Sequence, residues 1–265
     1  MRSIALILTE FPPAIGGMQT HAAALAQGLV NDGFTVHVFT YRVDEPELRQ
    51  AAAQFDATCC YPVHRCLSRI GFWANHHKLC QQLHLQGIGL IYASNVYYGL
   101  LGDALGIPVL CRSVGNDVQR PWIAYPYRLG SRILSHPRLE GHLHRLYRHC
   151  NMPTWIEALL LRARQRLMRQ AAQGNRLILA NSDYTAGLLR ENGITAETIR
   201  ILVGGVDYDR FANTQADPAL RDALGIAPDA RIVLTVCRLV AKKGIGFLLT
   251  HWPVLRRGEP RLHLL

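Results

Sequence analysis

Nothing in this 265-residue chain approaches the unbroken run of about eighteen apolar residues that a membrane-crossing helix needs, so any membrane attachment has to be peripheral. The opening apolar segment, Ile4–Leu8, is too short for a secretory leader. The seven cysteines (Cys59, Cys60, Cys66, Cys80, Cys111, Cys150 and Cys237) are odd in number and contain no Cys-x-x-Cys pair, which argues against a zinc site and against a disulfide framework. Several lie in apolar runs, where a free thiol behaves as a small hydrophobe, and this suits a reducing cytoplasm. Basic residues dominate, 29 Lys and Arg against 19 Asp and Glu, for a formal net charge of +10. Yet they form no block of consecutive basic residues and belong to no base-reading module, so nucleic acid is not an expected partner. A basic face of this kind suits an anionic membrane surface or a phosphorylated substrate. No Gly-x-Gly-x-x-Gly follows any predicted strand, which removes the main support for a dinucleotide-dependent oxidoreductase. Internal repeats and low-complexity segments are also absent.

What is present is a globular composition, 49% hydrophobic and 18% charged, with strand and helix signals in alternation. Strands are expected at Ile4–Leu8, Thr35–Thr40, Cys59–Val63, Ile88–Ala93, Pro108–Arg112, Arg176–Ala180 and Ile199–Val203. Helices are expected at Met18–Val30, Phe72–Leu85, Val96–Leu105, Trp155–Ala172 and Asp183–Glu191, the last capped by Ser182 or Asp183. The stretch before Thr58 is polar and carries no clear period, and Gly115–Pro153 reads as one long loop. Trp155–Ala172 is a basic amphipathic helix, read either as packed with a solvated basic face or as a contact for anionic headgroups. Strands spaced by helices in this way imply βαβ units, hence an α/β fold with a doubly wound parallel sheet. From Gly204 the composition turns to glycine, proline and polar residues, after which a strand (Arg231–Val236) and a helix (Gly246–Leu255) restart the rhythm. The expected organisation is therefore a first domain over 1–203, a linker over 204–230 and the beginning of a second domain over 231–265, ending where its second strand should form.

The most informative stretch is Pro12-Pro13-Ala14-Ile15-Gly16-Gly17-Met18 and the following His21. A glycine pair between a strand and a helix bares backbone N–H groups at the positive end of the helix dipole, a place for a phosphate or a sugar oxygen. Taken alone it is equally a tight turn. Two later segments add to it: Gly204-Gly205-Val206-Asp207 with Phe211, and Arg238-Leu239-Val240-Ala241-Lys242-Lys243-Gly244. In this order and at these separations the three resemble family 4 glycosyltransferases, whose fold is GT-B: two Rossmann-like domains facing each other across a cleft.

The resemblance implies retaining transfer of a sugar from a nucleotide-sugar to a polysaccharide or lipid-linked acceptor. It assigns Arg238 and Lys243 to the leaving diphosphate, with no metal and no other cofactor. It places Gly16, Gly17, His21, Gly115, Asp117, Gly205 and Asp207 at the substrates. Without it, Arg238 and Lys243 would read as surface cations, His21 as a residue resting on the glycine loop, and Asp117 as a turn or cap residue. The first domain would be the acceptor side and the second, Rossmann-like but incomplete here, the nucleotide-sugar side. Two departures stand out. In Cys111-Arg112-Ser113-Val114-Gly115-Asn116-Asp117, Val114 stands where the family's His-Gly-x-Asp pattern has histidine. The family's Glu-x7-Glu motif is not in this chain. The expectation is a truncated transferase at the cytoplasmic face of the membrane, inactive unless a protein partner supplies the missing half. The competing reading is a non-catalytic, acceptor-binding subunit working beside a complete transferase.

Overall fold

A computed structural model describes residues 3–9, 11–68, 72–119, 128–129, 132–133, 154–212, 217, 219–237, 239 and 243–265. They fall into two compact units, Met1–Gly204 and Gly205–Leu265.

In the first unit β1 (Ser3–Ile7) leads through the glycine loop into α1 (Gly17–Asn31), and β2 (Thr35–Tyr41), α2 (Pro46–Thr58) and β3 (Val63–Leu67) follow. Next come α3 (Phe72–Leu85), β4 (Leu90–Ala93), a 3-10 turn (Val96–Tyr98), α4 (Gly99–Leu105), β5 (Val109–Ser113) and a four-residue α5 (Asn116–Gln119). After a short antiparallel ribbon, the unit closes with α6 (Thr154–Gln173), β6 (Leu177–Ala180), α7 (Asp183–Glu191) and β7 (Ile199–Ile201). The seven strands form one sheet in the order β3-β2-β1-β4-β5-β6-β7, all parallel.

The run Ile4-Ala5-Leu6-Ile7 is apolar throughout because the central strand is covered on both faces. Ile4, Leu6 and Leu8 pack with Ala22 and Ala26 of α1, while Ala5 and Ile7 point into the larger core with Leu79, Leu101 and Met168. Alanines four apart on α1 let that helix sit close to the sheet. Ser182 caps α7 by accepting the Thr185 N–H, and Gly193 follows with φ +81°. On α6, Leu167, Met168, Ala171 and Ala172 are buried while Arg162, Arg166 and Arg169 are exposed.

Several elements differ from expectation. The polar stretch before Thr58 is helix α2, started by Pro46 at its first turn; only Ala52 is fully buried, so its apolar stripe is too thin to read. The strand expected over Cys59–Val63 begins only at Val63 and runs to Leu67. Most of Gly115–Pro153 lies outside the described residues.

The segment leaving β4 is held from three sides. Asp117 takes the Val96 N–H (3.0 Å) and the Ser113 hydroxyl (2.8 Å) on its buried carboxylate. Asn175 donates to the Val96 and Ala171 carbonyls, each at 3.0 Å. Gly99 and Gly174 bring two backbones together: a Cβ on Gly99 would lie 2.0 Å from the Ala171 carbonyl oxygen, and one on Gly174 2.3 Å from the Gly99 oxygen.

In the second unit, short helices α8 (Tyr208–Ala212) and α9 (Leu220–Ala223) precede β8 (Arg231–Val233), α10 (Ile245–Gly258) and β9 (Leu262–Leu264). The closing residues do form a strand: Arg231, Ile232 and Val233 pair in parallel with Leu262, His263 and Leu264, completing a βαβ unit. The stretch expected as linker carries α8 and α9.

Two predictions follow from this packing. Gly99→Ala should lower unfolding free energy by about 1–3 kcal/mol, because neither backbone can withdraw. Urea denaturation will read this as a shifted midpoint at constant slope; a loss below about 0.5 kcal/mol would contradict the contact. The second concerns acid. His37 and His64 stack with centroids 5.7 Å apart, His64 also lies against Phe39, and burial lowers the pKa of both and of His76. A lowered folded pKa means the unfolded chain binds more protons below the ordinary imidazole value of about 6.5, so stability is full above that value and falls as the pH drops through it toward the folded values. Asp117, raised by burial, works in the opposite sense over the range from the usual carboxylate value up to its own. Melting temperature should decline from pH 7.5 to pH 5.5, and less steeply in the His37→Gln/His64→Gln double variant. An equal slope in that variant would assign the acid sensitivity to other groups.

Candidate functional site

The chain winds outward from β1 to β2 and β3, then crosses back to lay β4 on the other side of β1. At that reversal the connections leave β1 and β4 in opposite directions, and a crevice opens at their carboxyl ends, where open α/β sheets bind ligands. A cavity of about 110 Å³ lies there, lined by Gly17, Met18 and His21 of α1, Tyr92 of β4 and Ser94 just after it, and Arg112 of β5 and Val114 just after it. A larger one, about 250 Å³, lies on the far side of the glycine loop against Thr9, Phe11, Arg42, Asp44 and Arg65. There Arg65 is already engaged, its guanidinium forking onto Asp56 with two contacts of 2.8 Å and bonding the Pro12 carbonyl. The smaller cavity lies at the switch point, and of the residues singled out in the sequence Gly17 and His21 line it.

Gly16 is the N-cap of α1; its carbonyl receives the Thr20 N–H (3.0 Å) and the Thr20 hydroxyl (3.1 Å). No side chain caps α1 and no acidic residue stands in its first turn. A Cβ on Gly17 would meet nothing within 4 Å, so the loop presents bare backbone to the crevice. One turn on, His21 is gripped by Arg112, whose Nη1 donates to Nε2 at 2.8 Å, and the Tyr92 hydroxyl stands 3.4 Å from the same nitrogen. The same Nη1 also lies 3.3 Å from Nδ1, so the guanidinium charge sits against both ring nitrogens. Burial, and then the charge of Arg112, lower the pKa of His21. Burial raises that of Tyr92 against the pull of Arg112.

Gly115 sits at φ +89°, a conformation that favours glycine, and its N–H bonds the Ser113 hydroxyl at 3.3 Å. Asp117 is buried beneath the crevice, not in its lining; its two oxygens hold Val96 and Ser113 in place, so it shapes the wall that carries Ser94. In the second unit Gly205, Asp207 and Lys243 are exposed, Lys243 just before Gly244 (φ +72°) at the start of α10. Arg238 lies outside the described residues. The structure thus brings Gly17 and His21 together with Arg112, Tyr92 and Ser94, three residues that sequence reasoning did not single out. Their signal was positional: each stands at or just past the end of an apolar strand on one side of the switch point.

The model of Glycosyltransferase Family 4 matches residues 15–210. No curated protein matches the chain in sequence. Among solved structures, the chain is similar to HepE from Anabaena in complex with UDP and glucose, with a TM-score of 0.62 at 16% identity, covering 100% of this chain and 60% of that one. Sucrose-phosphate synthase from Thermosynechococcus elongatus gives 0.59 at 16%, over 100% and 70%. UDP-GlcNAc 2-epimerase from Neisseria meningitidis bound to UDP-GlcNAc gives 0.51 at 13%, over 100% and 65%. The chain therefore spans about 60% of the length of HepE, and at these identities the likeness concerns the fold, which is of the GT-B type. With the family model matching 196 of its 265 residues (15 to 210 inclusive), the chain belongs to Glycosyltransferase Family 4.

Proposed function

We propose that this chain transfers a sugar from a nucleotide-sugar to a carbohydrate or lipid-linked acceptor, with retention at the anomeric carbon. The observation that carries the reading is the switch-point crevice, with the bare glycine loop on one wall and Arg112, Tyr92 and Ser94 on the other. The acceptor lies against the first unit and the donor is held by the second. The bond between the anomeric carbon and the diphosphate oxygen breaks, the acceptor oxygen bonds to that carbon on the same face, and the acceptor proton passes to the departing diphosphate. Negative charge grows on that diphosphate, and fixed cations aimed at it lower the barrier. Lys243, at the exposed turn before α10, supplies a point charge, and Arg238 a fork for two oxygens. HepE binds UDP and glucose, so uridine diphosphate sugars are the first donors to try. The exposed Arg162, Arg166 and Arg169 of α6 suit an anionic membrane surface beside a lipid-linked acceptor.

A second reading is favoured by one observation. Leu234 (67%), Val236 (85%), Leu239 (86%) and Phe247 (71%) of the second unit are exposed, an apolar surface that a protein partner would cover. In that reading the chain is an acceptor-binding subunit of a complete transferase.

The test is sugar transfer by the purified chain, with uridine, guanosine and adenosine diphosphate sugars offered in turn and the product's anomeric configuration read by NMR. Retention is expected, and Lys243→Ala or Arg238→Ala should each lower turnover about a hundredfold to a thousandfold. An inverted product, or full activity in both variants, overturns the mechanism. No turnover with any donor, together with co-purification of a second transferase chain, establishes the subunit reading instead.

A further inference from the structure

We infer that the switch-point crevice recognises an oxyanion through Arg112, and that the acceptor therefore carries a phosphate or carboxylate group. The inference rests on the reading above only in taking the first unit as the acceptor side.

The residues lining the cavity include a cation and several hydrogen-bond donors but no Asp or Glu. Arg112 is half-buried at the end of β5, and among the described residues it makes no ion pair. Arg65 in the neighbouring cavity shows the other arrangement, neutralised by a forked Asp56. A guanidinium taken partly out of water without a counter-ion is costly, and an imidazole carries no negative charge to offset it. Arg112 uses Nη1 on His21 and also bonds the Tyr92 side chain; a Cβ placed on Gly204 would stand 3.6 Å from its Nη2, so the residue beside that nitrogen is a glycine with no side chain to block it. The grip of His21 fixes the plane of the fork, as forked recognition of a carboxylate or phosphate requires. Tyr92 and Ser94 add hydroxyls at the same rim, and the uncapped start of α1 adds positive potential of the same sign. The cavity's size, about 110 Å³, suits one anionic group with the atoms next to it rather than a whole sugar nucleotide.

Two sources could supply the anion: the acceptor itself, or the diphosphate of the donor. The test is equilibrium binding to the full chain by calorimetry, with inorganic phosphate, acetate and glycerol 3-phosphate as probes. It is repeated in the presence of saturating uridine, guanosine or adenosine diphosphate. Arg112→Gln should weaken binding of at least one probe about tenfold or more, Arg112→Lys should retain part of it, and Arg190→Gln, an exposed charge change on α7, should leave it unaltered. Circular dichroism and melting temperature verify that each variant is folded; should Arg112→Gln not fold, Arg112→Lys and Tyr92→Phe carry the comparison. Binding that persists beside the nucleotide supports the acceptor as source, and displacement by every nucleotide that binds overturns it. Equal affinity in wild type and in the Arg112 variants, or no binding of any probe, overturns the site itself. Because binding is read without turnover, loss of this inference and loss of the transfer reading are separable: a chain that transfers sugar with no Arg112-dependent anion binding fails only here.

Discussion

A parallel sheet that starts at its centre, winds one way and then the other, cannot cover the carboxyl end of its first strand. That constraint organises the first unit. The strand order β3-β2-β1-β4-β5-β6-β7 puts the reversal beside β1, and everything that lines the crevice leaves one of the strands at or next to it. The glycine loop has to turn sharply from β1 into α1, β4 has to leave through Ser94, and β5 has to end between Arg112 and Val114. The cavity is a consequence of topology, and its chemistry is set by which side chains those three exits carry.

Holding such a crevice open takes rigid walls. The β4 exit has no regular structure until the 3-10 turn at Val96–Tyr98, yet it is as firmly placed as a strand. Both polar groups of the Val96 backbone are bonded to buried side chains, the N–H to Asp117 and the carbonyl to Asn175. Removing either partner would leave a buried polar group without its bond, a cost of about 1–3 kcal/mol. The close approach of Gly99 to the end of α6 fixes the same segment from behind. Asp117 is a support of the site's wall, and burial pushes its pKa up even though it accepts bonds from Ser113 and Val96.

Much of this was legible in the residues. A strand buried on both faces must be continuously apolar, so Ile4–Leu8 announced a buried strand, and the spacing of helices between the strand runs announced the βαβ order. The glycine pair marked the loop that the structure places at the crevice. Helix α2 stayed hidden because a helix that fully buries one alanine leaves no periodic stripe, and the strand beside it was misplaced for the same lack of contrast, since Val63–Leu67 is mostly half-buried. Arg112 was hidden differently. A single arginine at a strand end is ordinary in a chain with 29 basic residues, and only strand order decides that this one faces His21 across the switch point. Local pattern reveals elements; the site depends on which non-adjacent elements meet.

The groups that meet there also limit what the crevice can do. Its imidazole, His21, comes from α1, while Val114 occupies the place at the β5 exit where the family pattern has histidine. His21 is engaged by the Arg112 guanidinium, whose Nη1 lies 2.8 Å from Nε2 and 3.3 Å from Nδ1. Asp117, the nearest buried carboxylate to the β5 exit, is taken up by the Val96 N–H and the Ser113 hydroxyl. The lining therefore presents donors and a fixed positive charge and no carboxylate base. An arrangement of that kind binds and orients an electron-rich group but removes no proton from it by itself. In a transfer where the departing group can take the incoming proton, such a wall needs only to hold its ligand at the right place and angle, and a rigid crevice with a gripped arginine is suited to that task.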